Sequence, residues 1–166
     1  MTEEGARMVE KQVGTLLKHR GLRLATAESC TGGLVAHRIT NVSGSSAYYV
    51  GGLVAYDDEV KEAHLGVRKQ TLVEYGAVSE ETAREMARGV RGRFGADVGL
   101  SVTGIAGPTG GTPEKPVGLV YFALSAPDAE ICQSHVWQGG RLENKEQSAG
   151  AVLRLLLDHL QERSGK

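Results

Sequence analysis

LRLATAESCTGGLVAHRI, residues 22–39, is the stretch that decides the fold. LRLATAE has the look of a short strand, and Leu34, Val35, Arg38 and Ile39 then resume a helical period. Only Ser29, Cys30, Thr31, Gly32 and Gly33 lie between them, which leaves room for a tight turn and nothing more. A strand that turns sharply into a helix is the building unit of open α/β sheets. Ligands in such folds collect beyond the carboxyl ends of the strands.

The same alternation continues outward. Val9, Val13, Leu16 and Leu17 fall on one helical face ahead of Gly21. AYYVGGLVAY (47–56) is apolar and rich in β-formers, and a short helix is expected from Asp57 to His64. Ser79 is a good N-cap for a helix whose buried face is Ala83, Met86, Ala87, Val90 and Phe94 and which Gly95 ends. DVGLSVTG is a third strand, and the loop IAGPTGGTPEKP follows it. VGLVYFALSA is apolar throughout and has the character of a central strand. Pro127-Asp128 turns it into EICQSHVWQ as a hairpin, and Ala149, Val152, Leu153, Leu156 and Leu160 stripe a last helix. The expectation is one domain over residues 1–166: a three-layer α/β/α sandwich around a mixed, mostly parallel five-stranded sheet.

Composition narrows the function. The chain has 166 residues, 40% hydrophobic and 23% charged, with a formal net charge of −1 and no block of like charges. That argues against a nucleic-acid binder held by phosphate contacts. No apolar run approaches the roughly 18 residues of a membrane span. The N-terminus has no secretory core, so Cys30 and Cys132 are expected as free thiols in a cytoplasmic protein. Glycine is the outlier at 23 residues, about twice the usual share of ~7%. Its clusters suit loops that wrap a ligand.

Ser29 has two readings. It is a nucleophile on a strand–helix turn whose following N–H groups hold an oxyanion, or it is a helix N-cap. Cys30, its neighbour, points elsewhere and is expected to be buried. A serine nucleophile needs a base, and Lys61 in AYDDEVK is the candidate. The helix dipole there favours the neutral amine, whereas Asp57, Asp58 and Glu59 favour the cation. A surface i,i+4 pair with Asp57 is the competing role. Tyr56 stands at the strand end, placed to relay a proton, to orient the lysine or simply to pack. His37 belongs on a solvated helix face.

TGIAGPTGGTPEKPVG lacks the G-K-[ST] of a P-loop and the G-x-G-x-x-G of a dinucleotide site. Its N–H groups, with the hydroxyls of Thr103 and Thr109, still suit a phosphate or carboxylate. Arg141, after Gly139-Gly140, adds a cation able to fork onto a phosphate, or else is a solvated arginine. The five histidines and two cysteines show no metal-ligand spacing, and neither metal nor cofactor is expected.

Taken together, ESCTGG, GSSAYYVGGLVAYDDEVKEAHLGV, VSEETAREMARGV, SVTGIAGPTGGTPEKPVGLVYFAL and the later GGR resemble the CinA C-terminal domain family, the nicotinamide mononucleotide deamidases. The resemblance runs from about Val9 to Leu160 and implies the stand-alone form of the domain. It implies hydrolysis of the mononucleotide to nicotinate mononucleotide and ammonia, with Ser29 as nucleophile and Lys61 and Tyr56 beside it. It places Cys30, Thr31, Gly32, Gly33, Thr103, Gly104, Gly107 and Arg141 around the nucleotide. LENKEQ departs from the family's pattern after Arg141, which leaves Lys145 as the candidate second cation. A second functional reading is a non-catalytic pyridine-nucleotide module acting with a competence or DNA-repair partner. The partner expected is a small-molecule nucleotide, a homodimer stands open on base rate alone, and neither nucleic acid nor membrane is expected.

Overall fold

The computed structural model describes residues 3–162, so the outermost residues of the expected 1–166 domain lie outside the described residues. Helix α1 (Glu3–Arg20) leads into β1 (Leu24–Glu28), and α2 (Leu34–Thr40) follows the turn. A 3-10 turn over Ser45–Ala47 precedes β2 (Tyr49–Val54). Three helices come next: α3 (Asp58–Leu65), α4 (Lys69–Tyr75) and α5 (Glu80–Phe94). The chain closes with β3 (Val98–Gly104), β4 (Leu119–Ala126), β5 (Ala129–Val136) and α6 (Arg141–Glu162).

Local chemistry sets most of these bounds. The Asp57 carboxylate accepts from the Glu59 N–H to start α3, and the Ser79 hydroxyl accepts from the Thr82 N–H to start α5. Gly66 and Gly95 end those helices in the left-handed conformation that a side chain disfavours. Helix α4 was not expected. It has seven residues and only Thr71 is buried, so no apolar period marks it.

The five strands lie in the order β2-β1-β3-β4-β5. β1 pairs parallel with β2 and β3, whereas β4 pairs antiparallel with both β3 and β5. The sheet is therefore mixed, but not mostly parallel as expected. The reason is the connection after β3. A parallel neighbour needs a long crossover, usually a helix. Residues 105–118 contain none, and this loop returns the chain beside β3 in the opposite direction. β4 is buried along nearly its whole length, so its apolar character fits a central strand of either direction.

Helices pack on the sheet through alternating residues. Leu24 of β1 joins the cluster of α1, α2 and α6, with Val13, Ile39, Leu153 and Leu156. Ala25 and Ala27 of the same strand join Leu65 of α3 and Met86 and Val90 of α5. Fully burying each leucine or methionine contributes about 1.5–3 kcal/mol before entropy is counted. Among the described residues no helix is long and apolar enough to cross a membrane. The three parallel strands share a direction, so Glu28, Val54 and Gly104 end at one edge of the sheet, where the loops of interest begin.

Candidate active site

Ser29 is the first residue past β1. Its N–H donates to the Val102 carbonyl, extending the ladder with β3, and its carbonyl accepts from the Gly32 N–H. Gly32 and Gly33 then take φ of +61° and +100°, a left-handed pair that only glycine adopts readily. Helix α2 begins at Leu34, with Gly33 as its N-cap, so Ser29 is not the capping residue. That role belongs to Glu28, which the sequence reading passed over. Its buried carboxylate accepts from the N–H groups of Gly33 (3.0 Å), Val35 (3.0 Å) and Ala36 (2.8 Å). The helix donors are thus satisfied by the protein itself.

This bonding narrows the expected oxyanion site. Of the Cys30–Gly33 N–H groups, Gly32 and Gly33 already have acceptors, which leaves Cys30 and Thr31 without one among the described residues. The Thr31 hydroxyl is fully buried and also lacks a hydrogen-bond partner there. Cys30 is buried, and burial pushes its thiol up to about 12. The Glu28 carboxylate adds to this, against the opposing pull of its own backbone, Lys145 and Arg141. A thiol so placed is a poor nucleophile.

Ser29, 8% exposed, opens on a cleft of about 360 Å³. Lys61 lines the same cleft from the second turn of α3 and is 1% exposed. It is not the surface partner of Asp57, which is occupied in capping. Its ammonium instead donates to the Tyr56 carbonyl (3.2 Å) and to Asp58 Oδ1 (3.1 Å). Among the described residues the Ser29 hydroxyl has no hydrogen-bond partner, so serine and lysine share a cleft with no hydrogen bond between them. Tyr56 orients the lysine through its backbone. Its side chain, 62% exposed, is not packed against the sheet, and its hydroxyl accepts from Arg141 Nη2 (3.1 Å).

Arg141 is the first residue of α6, and its Nη1 also donates to the Gly107 carbonyl (2.7 Å). The guanidinium therefore bridges β2's exit and the glycine loop at the cleft. Thr103 and Gly104 line the cleft too, yet each has a packing reason. The Thr103 hydroxyl donates to the Ala77 carbonyl (2.8 Å). A Cβ on Gly104 would stand 2.6 Å from the Leu119 carbonyl. Gly107 has φ +85°, and a Cβ there would meet Val117 at 2.5 Å. Thr109 and Gly110 complete the loop wall.

Lys145 lies outside this lining. Its ammonium sits beside Gly32, 3.5 Å from where a Cβ would be. His37 is exposed on α2 and bonds Asn41. Among the described residues no three His, Cys, Asp or Glu side chains cluster as metal ligands.

Comparison with known proteins bears on what such a cleft does. A family model described as the CinA C-terminal domain matches residues 6–160. A putative competence-damage inducible protein of Halothermothrix orenii is 62% identical over 120 residues, covering 72% of this chain and 29% of its own length. A CinA-like protein of Chloroherpeton thalassium is 49% identical over 156 residues, covering 92% of this chain and 37% of its own. The chain thus spans roughly a third of these curated relatives. Among solved structures, a CinA superfamily protein of Klebsiella pneumoniae has a TM-score of 0.91 at 34% identity, covering 95% of this chain and 98% of that one. The competence/damage inducible protein CihA of Agrobacterium tumefaciens has a TM-score of 0.88 at 40% identity, covering 94% and 95%.

Proposed function

The chain belongs to the CinA C-terminal domain family, and from that premise and the contents of the cleft we propose that it is an amidohydrolase. Its substrate in this reading is nicotinamide mononucleotide, and its products are nicotinate mononucleotide and ammonia. One observation supports this most directly. A serine just past β1 and a buried lysine on the helix after β2 open on one cleft that an arginine also lines.

Lys61, as the neutral amine, takes the proton of the Ser29 hydroxyl as the oxygen bonds to the carboxamide carbon. The C=O electrons move onto oxygen, where the unengaged N–H groups of Cys30 and Thr31 are the nearest donors in sequence to the nucleophile. The tetrahedral species collapses, the C–N bond breaks and Lys61 returns the proton to the leaving nitrogen, releasing ammonia. Water then adds to the acyl-serine with Lys61 again taking the proton. That species collapses, the bond from carbon to the Ser29 oxygen breaks as Lys61 returns its proton to that oxygen, and the acid leaves as its carboxylate. Catalytic hydrogen bonds commonly tighten only with substrate bound, which accommodates the open Ser29–Lys61 geometry. Arg141 and the glycine loop serve as the anchor for the phosphate.

The test is incubation of the purified chain with the mononucleotide, following nicotinate mononucleotide by mass spectrometry and ammonia by coupled assay. Equal amounts of both are expected. Tight binding of the nucleotide with neither product would replace the hydrolase by a binding module.

A further inference from the structure

LENKEQ, read above as a departure from pattern, contains a residue that the proposed chemistry does not use. Asn144 lies in the first turn of α6, is 1% exposed and, unlike Lys61, is not part of the cleft lining. Its Oδ1 accepts from the Gly139 N–H (3.1 Å), and its Nδ2 donates to the Ala106 carbonyl (3.0 Å). One partner can only donate and the other only accept, so the amide orientation is fixed. Asn144 thereby ties the start of α6 to the carbonyl immediately before Gly107, the one that Arg141 holds. Two neighbouring carbonyls of the glycine loop are gripped by two side chains three residues apart on one helix.

Behind the grip lies a further network that does not reach Ala106 or Gly107. The Ser148 hydroxyl donates to the Asn144 carbonyl (2.6 Å) and accepts from Trp137 Nε1 (2.9 Å). The Trp137 N–H donates to the Gly118 carbonyl at the other end of the loop. A Cβ on Gly139 would press on Glu143 and Asn144, so the turn before Arg141 is close-packed onto these side chains. Arg141 itself is exposed and long, and only the Gly107 carbonyl and the Tyr56 hydroxyl hold its guanidinium. The distance between its backbone and the loop is set by Asn144.

We propose that Asn144 is a positioning residue that holds the Arg141 guanidinium in register with the glycine loop and so sets the preference for a phosphorylated over an unphosphorylated nucleotide. The preference rests on the functional reading above, whereas the positioning does not. An aspartate at this site would keep the bond from the Gly139 N–H but would set an acceptor against the Ala106 carbonyl.

The experiment compares Asn144→Ala and Asn144→Asp with Ser148→Ala, which removes a buried bond on the same helix without touching the loop entry. The first readout is amide exchange at Ile105, Gly118 and Gly139, all hydrogen-bonded in the fold. Asn144→Ala should speed all three by about tenfold or more, and Asn144→Asp should speed Ile105 and Gly118 but spare Gly139. Ser148→Ala should leave Ile105 at the wild-type rate. The second readout is kcat/KM for the mononucleotide divided by that for the unphosphorylated riboside. Asn144→Ala should lower this ratio about tenfold, mainly through KM for the mononucleotide, and Ser148→Ala should not. Unchanged exchange at Ile105 in both Asn144 variants, or an equal fall of the ratio in Ser148→Ala, overturns the proposal. A wild-type chain that turns over neither compound defeats the functional reading, and exchange alone then decides the positioning. Asn144→Asp also carries the exchange test where the alanine variant fails to fold.

Discussion

At one end of the cleft Ser29 and Lys61 are buried, and each is fixed by backbone. Ser29 prolongs the β1–β3 ladder, and Lys61 is pinned to the Tyr56 carbonyl. At the other end Tyr56 and Arg141 are exposed and meet only through the tips of long side chains. The first end borrows its precision from the sheet, and the second from loop contacts such as those of Asn144. Substitutions at the sheet-borne end should therefore act on kcat, and substitutions at the loop-borne end on KM.

The sharpest way to break this contrast is Ser29→Ala. Loss of the covalent route should lower kcat by several orders of magnitude. Among the described residues the hydroxyl has no hydrogen-bond partner and does not cap α2, so thermal stability should hardly change. A thermal melt beside single-substrate kinetics checks both halves. Residual activity near wild type would remove serine chemistry from this end altogether.

Lys61→Met should follow closely. It keeps most of the side-chain volume in a buried site and removes the amine, so turnover should fall by about 10²–10⁴-fold, the usual range for a positioned acid–base group. Asp58, which it leaves behind, is more than half exposed and is resolvated without large cost. A folded variant with intact turnover would return Lys61 to a purely structural ammonium.

At the opposite end, Arg141→Ala removes, in the proposed reading, charged hydrogen bonds to a phosphate. KM for the mononucleotide should rise by an amount equivalent to about 1.5–3 kcal/mol, with kcat within a few-fold. The unphosphorylated riboside should be indifferent to the change. A fall in kcat with KM untouched would place Arg141 at the reacting carbon and erase the distinction between the ends.

The sequence made the sheet-borne end more legible than the loop-borne one. Ser29 and Lys61 follow strands whose patterns are local, and five strands and most helices follow from the same patterns. Strand direction was harder, because a continuously apolar run such as β4 reads alike in either sense. What decided it was the lack of a helix in 105–118. The burial of Lys61 was not visible either, since Asp57 offered an equally good surface pair. Glu28 and Asn144 escaped notice because they bind backbone rather than chemistry-bearing groups. Asn144 meets Ala106 across 38 residues of sequence, a distance no local pattern reports. For Glu28 a signal did exist: no Ser, Thr, Asp or Asn immediately precedes Leu34, so α2 needed its cap from elsewhere.

Cys30 gives the smallest expected effect and the finest test of the sheet-borne end. It is next to the proposed nucleophile in sequence, yet its thiol is buried and held in the protonated form, with the nearby Glu28 carboxylate disfavouring a thiolate. A thiol pushed up that far by burial stays protonated at pH 8. Iodoacetamide should therefore label Cys30 no faster than the chain opens, across pH 7 to 9. Cys132, half-buried on β5, is also pushed up to about 12, chiefly by burial, so slow labelling there is no sign of damage. Cys30→Ala should keep activity within roughly tenfold and lower stability modestly, because a small buried side chain is trimmed. Peptide mapping after timed alkylation distinguishes the two thiols. Fast labelling of Cys30 with parallel loss of activity, beside an active Ser29→Ala, would move the nucleophile one residue along the turn.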